Sequence, residues 1–249
     1  MRIGIDYTAA VRQQGGIGRY TRNLIRSLSE LDTRNHYVLF VAGGRADEDG
    51  HGSWPENFRF CSTPISDRWL NILWQRLRIP LPIQLWTGRL DLFHSPDFVL
   101  PPLGRTPSVL TVHDLSFLRV PWCFVPGFRD YLEGAVSRSA AQASLILADS
   151  TSTKRDLIEL LDVRSDRVHV LYPGVESRFR PVSDQTALEG VRQRYGLPQN
   201  FVLGLGTLQP RKNFAGLVSA FGQLFSRRGE VPGLAEVRLV IAGAGSSPS

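Results

Sequence analysis

Apolar residues follow two alternating rhythms along most of this chain. Short apolar runs at residues 2–6, 37–41, 58–61, 90–93, 108–112, 145–148 and 168–171 are too brief for helices and read as buried strands. Between them lie stretches with apolar positions three and four apart. Residues 19–31 set Tyr20, Leu24, Ile25, Leu28 and Leu31 on one helical face, and residues 128–143 and 151–161 are also expected to be helical. Thr153 and Asp156 approximate a capping box in the last of these. Residues 7–18 read as a loop, and residues 69–85 as an aromatic-rich, basic helix interrupted at Pro80 and Pro82. Strands alternating with helices predict an α/β fold, a doubly wound domain with a parallel sheet.

The rhythm changes after Tyr172-Pro173-Gly174. Residues 1–180 form the expected first domain, and 181–200, polar and containing Pro181 and Pro198, an expected linker. A new strand-helix-strand pattern then occupies residues 201–249. Two strands and one helix do not enclose a core, since domains need about 50 residues at the least and usually more. The second domain is therefore expected to be unfinished.

Composition narrows the class. With 42% hydrophobic and 21% charged residues, the 249-residue chain reads as an ordinary soluble globular protein. Its 29 Lys and Arg against 23 Asp and Glu give a net charge of +6, which suits anionic partners such as phosphates or an acidic membrane surface. The cations are scattered, without the basic tails or zinc-finger spacing that would indicate nucleic acid. Cys61 and Cys123 lie far apart in apolar contexts and are expected as buried free thiols in a reducing compartment. Met1 and Arg2 lead directly into a strand, and no run approaches the ~20 apolar residues of a membrane span, so the expected location is cytoplasmic.

Three segments carry candidate chemistry. The run 203–213 passes from an apolar stretch through Gly204 and Gly206 to Arg211-Lys212 and then to an amphipathic stretch beginning at Phe214. A strand, a tight turn and a helix N-terminus bearing fixed positive charge make an anion site, with a diphosphate as the natural ligand. Gly15-Gly16-Ile17-Gly18 leads into the first helix, and glycines there let backbone N–H groups approach an anion. A purely structural loop is the competing reading. A dinucleotide fingerprint, and with it a nicotinamide oxidoreductase, is disfavoured because eight residues separate Asp6 from Gly15 and no acid ends the second strand. His113, in Val112-His113-Asp114-Leu115, follows a strand whose C-terminal end faces the ligand crevice, where it can donate to a hydroxyl or stabilise charge. A structural histidine is the alternative. His94 and Asp97 end the preceding strand, but their spacing fits no known metal-ligand pattern, and no metal is expected. The run 69–78 either packs on the core or lies on an anionic membrane.

Together, Gly-Gly-Ile-Gly-Arg-Tyr at 15–20, His-Asp-Leu at 113–115, Ala-Asp-Ser at 148–150, Tyr-Pro-Gly-Val at 172–175 and Gly-Thr-Leu-Gln-Pro-Arg-Lys-Asn at 206–213 resemble the GT4-type retaining glycosyltransferases, most closely the mannosyltransferase-like bacterial members. The resemblance implies a GT-B fold: two Rossmann-like domains, the first binding acceptor and the second the nucleotide sugar. It implies that Gly15 and Gly16 approach the donor phosphates, that His113 contacts the transferring sugar as the catalytic candidate, and that Arg211 and Lys212 grip the diphosphate. No cofactor is implied beyond the donor itself, with GDP-mannose as the first expectation. The implied acceptor is a polysaccharide or lipid-linked glycan at the cytoplasmic membrane face. Two departures stand out. Thr207 occupies a position where many relatives carry arginine, and the chain ends before the Glu-x7-Glu motif of the family. With the tail Gly245-Ser246-Ser247-Pro248-Ser249, this leads to the expectation of a gene fragment, a frameshift product or a deliberately shortened chain, inactive by itself. A non-catalytic acceptor- or phosphate-binding module is the alternative.

Overall fold

The computed structural model describes residues 1–44, 54–230 and 233–243. It divides into two compact units, Met1–Glu176 and Ser177–Ser249. The tail at 245–249 lies outside the described residues.

The first unit is built on a parallel sheet of β1 (Arg2–Asp6), β2 (His36–Ala42), β3 (Phe58–Thr63), β4 (Leu92–Ser95), β5 (Ser108–Val112), β6 (Leu145–Ala148) and β7 (Val168–Val170). The strands lie in the order β3-β2-β1-β4-β5-β6-β7, every neighbouring pair parallel. The chain thus builds outward from β1 in one direction and then, from β4, in the other. The topological switch falls between β1 and β4, where an open sheet of this kind leaves a crevice beyond its strand ends.

Strand β2 explains why the sheet is covered on both faces. Val38, Phe40 and Ala42 enter one apolar cluster and Tyr37, Leu39 and Val41 the other, so alternate residues are apolar on both sides. Helix α2 (Gly16–Leu31) seals one face with Ile25. Helices α6 (Pro126–Gln142) and α7 (Thr151–Leu161) seal the other with Val136, Ala140 and Leu157.

Several local expectations change. The segment read as a loop after β1 contains α1 (Thr8–Arg12), whose first turn is held by the Thr8 N–H donating to Asp6 Oδ1 at 2.9 Å. Five residues are too few for a periodic signal. The aromatic-rich stretch gives only α3 (Asp67–Asn71), a π-helical turn over Ile72–Arg76 and, beyond Pro80 and Pro82, the short α4 (Gln84–Thr87). Leu70 and Trp74 pack into the core, while Arg68, Trp69, Arg76, Leu77 and Arg78 are exposed. The cap of α7 is Ser150, whose Oγ accepts from Thr153 N at 3.0 Å, and Asp156 pairs instead with Arg119 of α5 (Ser116–Arg119). Cys61 and Cys123 are free but half-buried rather than enclosed, and Cys61 Sγ donates to the Trp86 carbonyl.

The second unit holds α8 (Gln185–Tyr195), the parallel pair β8 (Asn200–Leu205) and β9 (Val237–Ala242), and the crossover helix α9 (Phe214–Ser226). Helix α8 lies inside the segment expected as a linker. Asp184 Oδ1 accepts from the N–H groups of Thr186 and Ala187, and Gly196, left-handed at φ 60°, ends the helix. Its mostly polar, exposed surface masked it as a connection. At the strand ends, Gly243 lies so close that a β-carbon there would sit 1.8 Å from the Gly206 carbonyl oxygen.

Candidate active site

The C-terminal ends of β1, β4, β5 and β6 place a group of polar side chains beside the switch point. Asp6 ends β1, His94 and Ser95 end β4 with Asp97 just beyond, Thr111 and His113 lie at the end of β5, and Asp149 follows β6. This convergence follows from strand order, since β4, β5 and β6 are sheet neighbours in parallel register.

His113 is the most firmly held of them. Its Nδ1 lies 2.6 Å from Asp149 Oδ2 and its Nε2 2.9 Å from the Pro96 carbonyl oxygen. The Tyr20 and Phe98 rings meet it edgewise, with centroids at 5.1 and 5.3 Å. Thr153 Oγ1 donates to the His113 carbonyl at 3.0 Å, tying the main chain to the N-terminus of α7. The His113 side chain is only 11% exposed. Burial pushes its pKa down, but the hydrogen bond and charge of Asp149, the Pro96 carbonyl and the Asp97 charge together raise it above the usual histidine range.

The neighbours divide by protonation. Burial, with His113 nearby, lowers the His94 pKa to about 4, and its Nε2 lies 2.9 Å from Thr111 Oγ1. Burial raises Asp97, whose Oδ2 accepts from Gln13 Nε2 at 3.1 Å. Asp6 is pushed up to about 6, chiefly by burial against the opposing Thr8 hydrogen bonds. These strand ends thus combine a histidine whose pKa is raised, one whose pKa is lowered, and carboxyls whose ionisation is resisted. Such divergence is a mark of functional sites.

The glycines behave differently from one another. Gly15 is the N-cap of α2 and Gly16 its first residue; both are exposed, and a β-carbon on either would meet open space. The steric demand falls on Gly18, where a β-carbon would lie 2.0 Å from the Gln13 carbonyl oxygen and 2.8 Å from that of Ala9. Gly15 and Gly16 therefore place two exposed residues at the start of a 16-residue helix, where the first N–H groups have no partner within the helix, and Gly18 lets that helix pack on α1.

Arg211 and Lys212 belong to the second unit. They do not open α9: Pro210–Lys212 form a 3₁₀ turn, and Asn213, left-handed at φ 50°, caps the helix that starts at Phe214. Proline at the turn's start and the left-handed residue after it redirect the chain, so the cations sit one turn ahead of the helix. Both are exposed, and Arg211 Nε donates to Gln209 Oε1 at 3.2 Å.

Structure thus gathers His113 with Asp149, Tyr20, Phe98 and Thr153; the sequence reading placed Thr153 in a helix cap, Tyr20 on a helix face and Asp149 within a motif, and gave none of them a role beside His113. The signal for Asp149 was present in the strand pattern, since it ends the strand that follows that of His113. Among the described residues no group of three or more His, Cys, Asp or Glu could hold a metal ion. Among the same residues, no helix is long and apolar enough to cross a membrane.

The profile of Glycosyltransferase Family 4 matches residues 14–179. The O-antigen chain mannosyltransferase B of Escherichia coli is 33% identical over 217 residues, which cover 83% of this chain and 56% of that protein. A D-inositol 3-phosphate glycosyltransferase of Acidothermus cellulolyticus is 32% identical over 178 residues, covering 64% of this chain and 37% of its own. The chain spans about half, or less, of the length of these relatives. Among solved structures, Anabaena HepE in complex with UDP and glucose superposes with a TM-score of 0.57 at 18% identity, over 98% of this chain and 69% of that one. WaaG, a glycosyltransferase involved in lipopolysaccharide biosynthesis, gives 0.58 at 14% identity, over 99% and 64%. These likenesses establish the GT-B-like fold.

Proposed function

Since this chain belongs to Glycosyltransferase Family 4, we propose that it carries the acceptor-side domain and part of the donor-side domain of a retaining hexosyltransferase. The donor is a nucleotide-diphosphate sugar, GDP-mannose first, and the acceptor a polysaccharide or lipid-linked glycan. The observation that carries this reading is the braced His113 at the switch-point crevice, in a chain 33% identical to a mannosyltransferase. Solved neighbours bound to UDP and to UDP-glucose support a nucleotide-sugar donor.

In this reading His113 donates to the transferring sugar, and the N–H groups at Gly15 and Gly16 face the donor phosphates. Arg211 and Lys212 stabilise the departing diphosphate, whose negative charge grows as the sugar–phosphate bond breaks. Two cations can supply that stabilisation without a metal. The exposed Trp69, Leu77 and Ile79, flanked by Arg68, Arg76 and Arg78, suit peripheral contact with an anionic cytoplasmic membrane face.

Because the chain spans only part of its relatives, we expect phosphate binding without measurable sugar transfer by the 249 residues alone. Calorimetry with GDP-mannose, UDP-glucose and pyrophosphate, beside radiolabelled transfer to a lipid-linked acceptor, tests this. The expected result is weak binding with little discrimination between nucleotides and pyrophosphate. Base-selective micromolar binding or transfer would overturn the inactivity, and absence of any phosphate binding would overturn the site. In a form that turns over, GDP-mannose is expected to outperform UDP-glucose, and the reverse order would overturn the donor assignment.

A further inference from the structure

The two acceptors around His113 fix more than its orientation. A carbonyl oxygen only accepts, so Nε2, 2.9 Å from the Pro96 oxygen, carries a hydrogen. On the other side stands the Asp149 carboxylate, 2.6 Å from Nδ1. Asp149 immediately precedes Ser150, the N-cap of α7, where the helix dipole favours an anion. Imidazole is also more basic than a carboxylate by about 2–3 pKa units in water, so the proton shared between them belongs to the ring. Both ring nitrogens then carry hydrogen.

From this geometry we propose that Asp149 is a positioning residue that holds His113 as a doubly protonated, donor-only imidazolium at the crevice. The cost to the fold supports a purpose beyond packing. Asp149 Oδ1 is buried and finds no hydrogen-bond partner among the described residues, an arrangement that ordinarily costs about 1–3 kcal/mol. The other groups facing the ring are Asp97, whose charge favours the imidazolium, His94, which is neutral, and the Tyr20 and Phe98 rings.

A donor-only ring has a defined chemical consequence. It has no lone pair, so it cannot take the proton of an acceptor hydroxyl. It can offer Nε2–H and positive charge to an oxygen of a sugar or a phosphate, exchanging the Pro96 carbonyl for that oxygen. This last step rests on the glycosyl-transfer reading, whereas the protonation state does not.

The test is a two-bond ¹H–¹⁵N histidine titration of the ligand-free 249-residue chain, with His113→Gln used to assign the signal. Both His113 nitrogens should appear protonated at pH 7, with a midpoint above the free-histidine value of about 6.5. Asp149→Asn keeps an oxygen for Nδ1–H and removes the charge; it should lower the midpoint by about one unit, a tenfold change in proton affinity. A single-tautomer neutral ring at pH 7 in the unsubstituted protein would overturn the proposal, and so would an unshifted midpoint in a folded Asp149→Asn variant. The measurement on the unsubstituted protein stands even if that variant does not fold. Since no sugar or nucleotide is present, failure of the transfer reading leaves this result untouched, and its own failure leaves the transfer reading open.

Discussion

The first unit and the second use the same local devices and reach different outcomes. Both set parallel strands beside a crossover helix, cap helices with Ser150 or Asp184, and bring glycines close to neighbouring backbone. In the first, seven strands are covered on both faces, and Tyr7, Phe40, Phe93 and Leu110 are wholly enclosed. In the second, Gly204 and Leu234 are the only buried residues among those described, while Leu205 remains 75% exposed and Leu203 52%. Local grammar specifies the elements, and the number of strands sharing a face decides whether they form a core.

Substitution can break this comparison most sharply in the core. Phe93→Ala should cost about 3–5 kcal/mol in denaturant unfolding, as enclosed aromatics do, whereas Leu205→Ala should change stability by less than about 0.5 kcal/mol. A comparable loss at both positions would mean that the second unit is as well packed as the first. Function should invert the ranking. In a form of the protein that turns over, Lys212→Ala should lower kcat/KM by about 2–4 kcal/mol of transition-state stabilisation, with no measurable change in thermal midpoint. A change in stability alone would remove Lys212 from the phosphate site.

Titration sharpens the contrast further, because the buried ionisable groups lie in the first unit. The Asp6 pKa is raised in the folded state to about 6 from 3.8, so the native form holds its proton where the unfolded form has released it. Stability from this group is therefore lost as pH rises from about 4 through about 6. Asp6→Asn should stabilise the protein at pH 7 by about 1–3 kcal/mol and flatten that slope. A variant less stable at pH 7 than the parent would show that the Thr8 contact outweighs burial. The smallest effect belongs to the caps: Ser150→Ala and Asp184→Ala should each cost about 1 kcal/mol of local helix stability. Hydrogen exchange should register the first within a cooperative core and the second as fraying of α8 alone.

Much of this architecture was legible from residue pattern. The apolar run in β2 announced a strand buried on both faces, and the position of His113 after Val112 placed it at a strand end. What escaped reading was set across distance. Asp149 is 36 residues from His113, Gln13 is 84 from Asp97, and each pair meets only because strand order brings their elements together. Short elements escaped for a different reason. Helix α1 has one turn and draws its first hydrogen bond from the side chain of Asp6, so no periodicity marks it. Helix α8 has its cap and its glycine stop, but its polar, exposed surface resembles a connection.

Gly18 gives the site a sensitivity that no contact with substrate would reveal. It is the clearance between α1 and α2, and α2 carries Tyr20 two residues later, with its ring edge on His113. A single added methyl at Gly18 must displace backbone, since both obstructing atoms are main-chain carbonyl oxygens. The displacement would pass along a rigid helix turn to an aromatic wall of the crevice. The tolerance of the candidate site is thus machined at a place with no chemistry of its own, and drift at residue 18 would be felt as a loosened histidine.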